Sequence, residues 1–319
     1  MESLPIGLTE KQQAFHVRLA NFGKVIHFHA PGLKRFETEE FRQESRKGLI
    51  AISLTGSKCA LMCDHCKSKV LHSMRRVPLG KNLFQMAEEL VKGGTRSILI
   101  SGGCDADGRV PHLKYMDQIA RIKVRLPLRI IVHSGLVDEE LAQALKEAGV
   151  DGAMIDIIGA NETIRKVYHL KRRSVEDYER SLELLVRRGL SVIPHIVIGL
   201  HYGKILGEYR ALEMIRRHQI SALILVILMP ILSTPMFAAT PPSLGEIADI
   251  FYRARLAFPK TPVHLGCARP MGELMQQTDT LAVDLGLNGI AYPASGIVAY
   301  AREQGLAPEF HETCCSIYE

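Results

Sequence analysis

The chain has 319 residues, of which 47% are hydrophobic and 23% are charged, with 26 glycines and 15 prolines. This composition is typical of a globular protein and excludes a disordered chain, a collagen and a small disulfide-bonded scaffold. The 40 basic residues exceed the 34 acidic ones, giving a formal net charge of +6. This surplus suits an acidic partner or an anionic cofactor, and it is too small to indicate nucleic acid as a ligand.

The longest apolar run, at residues 221–232, contains Pro230 and is shorter than the roughly 20 residues of a membrane-spanning helix. It therefore predicts a buried strand, and we expect no membrane association. The first thirty residues lack a signal-peptide pattern, so we expect a cytoplasmic protein. In that reducing compartment, the seven cysteines are expected to serve metal binding or catalysis, because disulfides are rare there.

Short β-branched segments alternate with amphipathic helical segments from about residue 48 onward. The predicted strands are residues 48–55, 97–103, 129–135, 152–159, 191–200, 222–230, 263–268 and 289–293. Eight βα units in about 260 residues predict a closed (β/α)8 barrel, with its chemistry in the loops after the strand ends. A doubly wound open sheet is the alternative.

We predict three regions in this chain. They are an N-terminal extension over residues 1–46, the α/β barrel over residues 47–305 and a cysteine-bearing C-terminal tail over residues 306–319.

Three cysteines follow the first predicted strand in a single loop. Cys59, Cys63 and Cys66 form a CxxxCxxC array within the segment SLTGSKCALMCDHCKSK. Thiolates are the usual ligands of a [4Fe-4S] cluster, which normally takes four of them. Three local thiolates therefore leave one iron open to a non-protein ligand. The alternative is a structural zinc site that is completed from elsewhere in the chain.

This array, in this loop, resembles the signature of the radical SAM superfamily, and the resemblance extends over residues 48–305. It implies a radical SAM (β/α)8 TIM-type barrel and an enzyme with two cofactors, a [4Fe-4S] cluster and S-adenosyl-L-methionine. In that family, an electron from the cluster cleaves S-adenosylmethionine to a 5'-deoxyadenosyl radical, which removes hydrogen from unactivated carbon.

The resemblance also implies which residues contact S-adenosylmethionine near the thiol loop. His65 stands where the family usually has an aromatic residue beside the adenine. Gly102 and Gly103 are similar to the glycines of the GGE motif, which receive the methionine amino group. Cys104 replaces the acidic residue of that motif.

Later strands supply further cofactor-binding candidates by the same resemblance. Asp156 matches a polar position on the ribose hydroxyls, to which a carboxylate can accept hydrogen bonds; a capping or solvent-facing role is the alternative. Arg172 or Arg173 resembles an arginine beside the methionine carboxylate, a partner suited to a guanidinium, or else belongs to a basic helix entry. Ile198 and Gly199 resemble the backbone edge at the adenine, with barrel packing as the alternative.

The remaining cysteines predict a second, auxiliary iron–sulfur cluster. Cys267 ends the seventh predicted strand, and Cys314 and Cys315 lie in the tail, which could fold back over the barrel mouth. The fourth ligand would be Cys104 or Ser316, since lipoyl synthases are similar in using a C-terminal serine. Free cysteines buried as small apolar residues are the alternative.

Two further segments narrow the resemblance. HLGCARP and LNGIAYP resemble the biotin synthase and lipoyl synthase branch, and HFHAPGLKRFET with the C-terminal cysteines resembles a subunit of the two-component lipoyl synthases. This implies sulfur insertion into an octanoyl chain on a lipoyl carrier protein, either the glycine cleavage H protein or a dehydrogenase E2 lipoyl domain, with the auxiliary cluster consumed. It also implies a second radical SAM subunit and an electron donor such as ferredoxin.

An acidic carrier suggests a basic docking face on this chain. The candidates are Arg75, Arg76, Lys171, Arg172, Arg187, Arg188, Arg216 and Arg217. Most of these are also explained as solvated helix charges.

Three histidines suggest a further metal site at first sight. Strand alternation places His27 and His29 on one face, but without nearby carboxylates we interpret these two and His133 as structural.

Two other functions stay open at this stage. One is a radical SAM reaction of the biotin synthase-like branch on a small molecule, and the other is a non-catalytic iron–sulfur protein. The P-loop, GxSxG and HExxH motifs are missing from the sequence.

Overall fold

A computed structural model of the protein describes residues 7–32, 34–45 and 47–317. Parts of the predicted extension (residues 1–6, 33 and 46) and of the predicted tail (residues 318–319) lie outside the described residues. The strands are β1 Val25–His29, β2 Leu49–Ser53, β3 Arg75–Arg76, β4 Ser97–Ser101, β5 Arg129–His133, β6 Gly152–Asp156, β7 Val192–Ile198, β8 Leu223–Ile227, β9 Val263–Leu265, β10 Gly289–Ala291 and β11 Ala307–His311.

Ten α-helices accompany these strands in the described part of the chain. They are α1 Leu8–Phe22, α2 Leu83–Lys92, α3 Met116–Arg125, α4 Glu139–Glu147, α5 Asn161–Lys166, α6 Val175–Arg187, α7 Glu208–Ile215, α8 Leu244–Ala257, α9 Glu273–Asp284 and α10 Ile297–Glu303. None of the helices in the described ranges is both long and apolar enough to cross a membrane.

Local sequence explains where several helices begin. The Asn82 side chain accepts a hydrogen bond from the Gln85 backbone at the start of α2, and Asp138 does the same for the Leu141 backbone at α4. These side chains satisfy backbone N–H groups that have no partner within the helix, which fixes the turn between strand and helix.

The sheet is entirely parallel and curls into the TIM-type α/β fold expected for a radical SAM barrel. Its strand order is β11-β1-β10-β9-β8-β7-β6-β5-β4-β2-β3, and each of the eight predicted strands is present in its predicted segment. Because all ladders are parallel, the carboxyl ends of the strands meet at one end of the barrel, the mouth, where sites form in this architecture.

The sequence predicted eight strands in a closed ring, whereas the described sheet has eleven and its ladder ends at β11 and β3. Two of the additional strands come from the regions predicted as appendages. β1 pairs with β10 on one side and with β11 on the other. β1 follows closely after the N-terminal helix and was not counted as part of a βα unit. β11 lies beyond the last predicted helix and was therefore not counted either. The predicted domain boundaries at residues 46 and 305 stay predictions.

Two apolar layers hold the fold together. The outer layer lies between the sheet and the helices and includes Ile26 and Phe28 of β1, both fully buried. The inner layer fills the barrel with side chains from alternate strand positions, such as Met154 and Ile224. Burial of this much apolar surface is the main driving force for the fold.

The chain after β11 enters the barrel interior. The Glu312 carboxylate accepts hydrogen bonds from the backbone of Glu44 and Ser45, beside the start of β2. Cys315 and Ile317 then pack in the inner layer with the interior side chains of the strands. The tail is therefore part of the barrel core. We predicted that the tail folds back over the mouth, whereas in the structure it extends into the interior.

Candidate active site at the barrel mouth

The three-cysteine loop follows β2 and lies at the mouth. Cys63 and Cys66 are buried, and Cys59 is partly exposed. The Cys63 thiol donates a hydrogen bond to the Cys66 sulfur, which lowers the pKa of Cys66 to about 4 and raises that of Cys63. Charge interactions connect Cys63 with both other cysteines. Cys66 is therefore a thiolate at neutral pH, the form that binds metal.

The loop backbone turns tightly around these thiols. Met62, Lys67 and Ser68 adopt positive φ angles of 43°, 44° and 58°, a conformation that is uncommon for residues other than glycine. Such strain persists only where the surroundings enforce it. The backbone therefore stores conformational energy at the predicted cluster site.

One partly buried carboxylate connects this loop to the rest of the mouth. Asp64 accepts hydrogen bonds from Tyr202 Oη at 2.6 Å and Lys67 Nζ at 2.9 Å, and its Oδ1 lies 3.0 Å from His169 Nε2. Burial acts to raise the pKa of Asp64, but these partners lower it below its usual value. Asp64 is therefore a charged anchor between two cysteine ligand candidates.

Gly102 and Gly103 follow the end of β4 and lie directly behind the cysteine loop. The Gly103 N–H donates to Thr55 Oγ1 at 2.7 Å, and a Cβ on Gly103 would lie 2.6 Å from Cys59 Cα and still closer to the Lys58 carbonyl oxygen. Only glycine fits this close approach of two backbones. The next residue holds the loop as well, because the Ala60 N–H donates to the Cys104 carbonyl oxygen at 2.8 Å.

The Cys104 thiol belongs to this first group and not to the second. Burial, reinforced by Cys59 and neighbouring carboxylates, raises the pKa of Cys104 to about 12. Cys104 is therefore protonated at neutral pH. The other predicted fourth ligand, Ser316, lies among residues at the strand starts such as Ser191 and Ser221, opposite the mouth. The fourth ligand of the auxiliary cluster therefore stays a prediction.

His65 points into the protein beside the thiol loop. Its Nδ1 is buried and has no hydrogen-bond partner among the described residues, and its ring lies 5.3 Å from the Tyr168 ring. Burial acts to lower the pKa of His65, but a hydrogen bond with Cys66 and the charges of Cys66 and Asp156 raise it. An unpaired buried polar atom at this place fits a bound ligand.

Asp156 ends β6 and forms a polar pair with His133 at the end of β5. His133 Nε2 lies 3.5 Å from Asp156 Oδ1, and His195 of β7 stacks edge-on to His133 at 5.8 Å. Burial acts to raise the pKa of Asp156, but the charge and hydrogen bond of His133 lower it to about 2. Burial would lower the pKa of His133, but Asp156 raises it. The capping alternative for Asp156 finds no support in these contacts.

The Asp156–His133 pair lies between the two groups of cysteines. Asp156 interacts electrostatically with His65 and Cys104 on one side. His133 interacts with Cys314 on the other. The barrel interior thus connects the two groups through two polar side chains.

The contacts of the remaining cofactor-binding candidates do not by themselves indicate a cofactor. Arg172 is exposed, and Arg173 is paired with Asp107 at 3.0 Å and Asp177 at 3.4 Å. Ile198 packs fully buried in the outer layer. Gly199 has a φ of +80°, and its Cα packs against Pro242, so its packing role has direct support. Their roles at a cofactor stay predictions.

The second group of cysteines combines the end of β9 with the tail. Cys267 is exposed at the mouth, while Cys314 and Cys315 lie inside the barrel. The Cys315 thiol donates a hydrogen bond to the Cys314 sulfur, which lowers the pKa of Cys314 to about 7 and raises that of Cys315. Cys267 interacts electrostatically with both. The buried Ser316 hydroxyl has no hydrogen-bond partner among the described residues.

Both groups suit iron–sulfur ligation by their chemistry. Each combines one acidic thiol with neighbouring thiols, and thiolates are the ligands that such clusters require. Gly103 leaves room where a Cβ would clash, and the unpaired atoms of His65 and Ser316 offer polar contacts. The zinc alternative has less support, because no three cysteines of the described residues bring their sulfurs within 4.8 Å of one another.

The eight basic residues predicted as a docking face do not share one. Arg187 ends α6 and Arg188 follows it, and Arg216 and Arg217 follow the end of α7, so these four lie at the end of the barrel opposite the mouth. Each is also paired with a glutamate. These four residues lie opposite the mouth because helices run antiparallel to the strands in βα units. The clustering of basic residues in the sequence does not reveal this position. Arg75 and Arg76 of β3, with Lys171 and Arg172, stay on the mouth side.

The sequence analysis missed the roles of two residues of this site. Asp64 was visible inside the cysteine array, and its role as an anchor depends on Tyr202, 138 residues later. His133 was interpreted as structural, although its position directly at a strand end was the signal that such a residue faces the mouth.

Comparisons with known proteins agree with this geometry. Residues 53–209 match the profile of the radical SAM superfamily. The biotin synthase of Neorickettsia sennetsu (strain ATCC VR-367 / Miyayama) is 25% identical over 283 residues, which cover 83% of each chain. The biotin synthase of Magnetococcus marinus (strain ATCC BAA-1437 / JCM 17883 / MC-1) is 25% identical over 197 residues, or 59% of this chain, and the match spans only 53% of that relative.

Solved structures show the same fold at low identity. The structure of methylornithine synthase aligns with a TM-score of 0.61 and 15% identity over 95% of this chain and 89% of that one. The FeFe-hydrogenase maturase HydG from Carboxydothermus hydrogenoformans aligns with a TM-score of 0.61 and 16% identity, over 94% of this chain and 71% of that chain.

Proposed function

We propose that this chain inserts sulfur into an octanoyl chain on a lipoyl carrier protein. The premise is that the chain contains a radical SAM domain and is a radical SAM enzyme of the biotin synthase-like branch. The observation that carries this proposal is the position of the tail. Cys314 and Cys315 lie inside the barrel, and Cys314 interacts electrostatically with His133, whose partner Asp156 interacts with Cys104 beside the first cysteine group. The chain thus offers two sets of cluster ligands on either side of one interior space.

Cys59, Cys63 and Cys66 would hold the [4Fe-4S] cluster that the family requires. When bound, this cluster supplies the electron that cleaves S-adenosylmethionine to a 5'-deoxyadenosyl radical. His65, with its unpaired Nδ1, and the Gly102–Gly103 backbone would position S-adenosylmethionine beside it. Asp64 keeps the loop in place from behind.

Asp156 would orient the ribose of S-adenosylmethionine toward the barrel interior. A carboxylate accepts hydrogen bonds from a diol, and the low pKa of about 2 keeps Asp156 ionised. His133 holds the Asp156 carboxylate at 3.5 Å. This pair would therefore hold the ribose on the side of the barrel interior where His133 interacts with Cys314.

Cys267, Cys314 and Cys315 would hold the auxiliary cluster that donates sulfur. Their placement supports this role because thiols from two distant segments, the end of β9 and the tail, interact electrostatically with one another. A saturated acyl carbon has no acidic proton, so a general base could not activate it. A radical that removes hydrogen, next to a sulfur source, meets that requirement.

The partners of this reaction are proposals as well. The carrier would be the glycine cleavage H protein or a dehydrogenase E2 lipoyl domain, and Arg75, Arg76, Lys171 and Arg172 would contact its acidic surface near the mouth. A second radical SAM subunit and a donor such as ferredoxin would complete the system.

Mass spectrometry of an octanoyl-lysyl peptide tests this proposal. Anaerobically reconstituted protein, with S-adenosylmethionine and a reductant, should add sulfur to the peptide, or to the octanoylated H protein if the peptide is too small to dock. A Cys314→Ala/Cys315→Ala variant should still form 5'-deoxyadenosine but no sulfur product. If the wild-type chain, assayed together with the second radical SAM subunit, forms 5'-deoxyadenosine and sulfur appears in neither substrate, the proposal is wrong.

A second candidate is a radical SAM reaction on a small molecule, which the names of the biotin synthase relatives favour. It predicts that the tail is dispensable. Product formation from a small-molecule substrate by the Cys314→Ala/Cys315→Ala variant would support this alternative over the first.

A further inference from the structure

Three potential metal ligands that belong to neither cysteine group converge at the edge of the sheet. His27 of β1 and Glu309 and His311 of β11 bring one donor atom each within 4.8 Å of one another. His27 Nδ1 lies 3.0 Å from His311 Nε2 and 3.6 Å from Glu309 Oε2. The third side of the triangle, from His311 Nε2 to Glu309 Oε2, is 4.0 Å.

These three distances fit a single metal ion. A triangle with sides of 3.0, 3.6 and 4.0 Å has a circumscribed radius of about 2.1 Å, which is the length of a zinc bond to histidine nitrogen or carboxylate oxygen. One point is therefore at about bonding distance from all three donors. It lies in the plane of the donors, so small side-chain movements would complete the tetrahedral arrangement that zinc takes. Two histidines and one carboxylate form a donor set that zinc accepts.

The strands place these side chains together by register. His27 pairs with Glu309, and His29 pairs with His311, so alternation directs all four side chains to the same face of the sheet. On the opposite face, Phe310 packs against Phe28 at 5.9 Å and stacks on Phe41 at 4.8 Å. These aromatic contacts fix the register that brings the donors together.

Two further features favour binding. The His29 ring stacks on His311 at 5.0 Å, which restricts the orientation of a ligand ring, as supporting residues commonly do at metal sites. Glu309 is 54% exposed, while His27 and His311 are 23% and 34% exposed. An ion can therefore reach the site from solvent, and the two rings are held by the protein.

We propose that His27, Glu309 and His311 bind a divalent transition-metal ion, with zinc as the best match, and that this ion clasps β11 to β1. The histidines were interpreted as structural because the sequence near them offers no carboxylate. Glu309, 282 residues after His27, supplies it. The site is separate from the clusters of the proposed function and does not depend on them.

Metal binding at this site would affect the tail because β11 leads directly into the tail. The residues after His311 pass the start of β2 through Glu312 and then place Cys314 and Cys315 inside the barrel. A metal that joins β11 to its neighbour would therefore stabilise the strand from which the tail enters.

Zinc binding to the cluster-loaded protein tests the site. Filled clusters keep the cysteines from competing, and the probe is Zn²⁺ alone, followed by desalting, metal analysis and zinc K-edge X-ray absorption. The wild type should retain about one zinc per chain with only nitrogen and oxygen ligands. His311→Ala and Glu309→Gln should weaken zinc binding roughly a hundredfold or more, since even supporting residues around a metal contribute 10–100-fold.

His16→Ala is the matched control, because His16 is an exposed histidine on α1 and its loss should leave zinc binding unchanged. Zinc should also raise the thermal midpoint of the wild type and the control, but not of His311→Ala. Near-ultraviolet circular dichroism without zinc identifies any variant that fails to fold, and Glu309→Gln, at an exposed position, serves as the second test. Sulfur ligands in the absorption spectrum, or equal zinc affinity in wild type and Glu309→Gln, would overturn the proposal.

Discussion

The two cysteine groups of this protein use the same chemistry and are assembled in opposite ways. In each, one buried thiol donates to another and lowers its pKa, to about 4 at Cys66 and about 7 at Cys314. The first group comes from eight consecutive residues of one loop. The second combines a strand end with a tail that crosses the barrel interior. Local spacing fixes the first group, whereas the whole fold must form before the second exists.

The two groups of cysteines also differ in the contacts that hold them in place. The first loop is fixed by strained backbone, by Gly103 and by Asp64 with its partners. The tail cysteines are held by apolar packing in the inner layer and by the pairing of β11 with β1. Substitutions in the first loop should therefore act through its local contacts, whereas substitutions in the tail should act through apolar packing and the pairing of β11 with β1.

The largest effect is expected from the first group. Replacing Cys59, Cys63 and Cys66 by alanine removes every thiolate ligand of the proposed S-adenosylmethionine-binding cluster. Production of 5'-deoxyadenosine should fall to background in a reductive cleavage assay, while the fold persists by far-ultraviolet circular dichroism. Cleavage at wild-type rate would contradict the assignment of this loop.

A large effect on stability and cluster binding is expected at Gly103. Gly103→Ala places a Cβ 2.6 Å from Cys59 Cα and closer to a backbone oxygen, so the loop must shift, at a cost of about 2–4 kcal/mol. Iron content should fall several-fold. Gly245→Ala is the control, because a Cβ there meets nothing within 4 Å, and equal iron content in both variants would refute the close-packing argument.

The Asp156–His133 pair between the two groups should make stability depend on pH. The folded-state pKa of Asp156, about 2, lies below the unfolded value of about 3.9. Its stabilising contribution, on the order of 1–2 kcal/mol given its partial exposure, is therefore present above about pH 4 and lost as the pH falls toward 2.

His133 has a raised pKa, so its contribution is present below the unfolded histidine pKa and is lost as the pH rises through the raised value. Urea unfolding of wild type and Asp156→Asn across this pH range measures both effects. A wild-type profile that matches the variant would show that the pair contributes nothing.

The smallest effect is expected at the anchor of the first loop. Tyr202→Phe removes the 2.6 Å hydrogen bond to Asp64 and should cost about 1–2 kcal/mol in the free energy of unfolding, because the acceptor is charged. The lost hydroxyl should also raise the pKa of Asp64. Tyr252→Phe, which loses an exposed hydrogen bond to Gln13, should cost less; the reverse order would argue against Asp64 as an anchor.

The sequence predicted the features that depend on neighbouring residues. The eight strands follow from β-branched runs with a short period, and the cysteine loop follows from its spacing after the first of them. Gly103 was placed beside the loop only through family resemblance, and the contact with Cys59 explains why it must be glycine.

Features that depend on distant pairing were not predicted. β1 and β11 join the sheet through partners nearly the whole chain apart, and no local pattern encodes such a pairing. The same limit applies to the basic residues at the helix ends, which are close in sequence to mouth residues and lie at the other end of the barrel. The tail was expected to approach Cys267, but its passage through the interior depends on the space left by small residues such as Ala222 and Ala291.

The most direct test of the central claim is the iron and sulfide content of the Cys59→Ala/Cys63→Ala/Cys66→Ala variant after anaerobic reconstitution, combined with Mössbauer spectroscopy. Two independent ligand sets predict about eight irons in the wild type and about four in this variant, with the remaining iron lost when Cys314 and Cys315 are also replaced. A wild type that saturates at four irons, together with a triple variant that holds none, would contradict a second cluster at the tail.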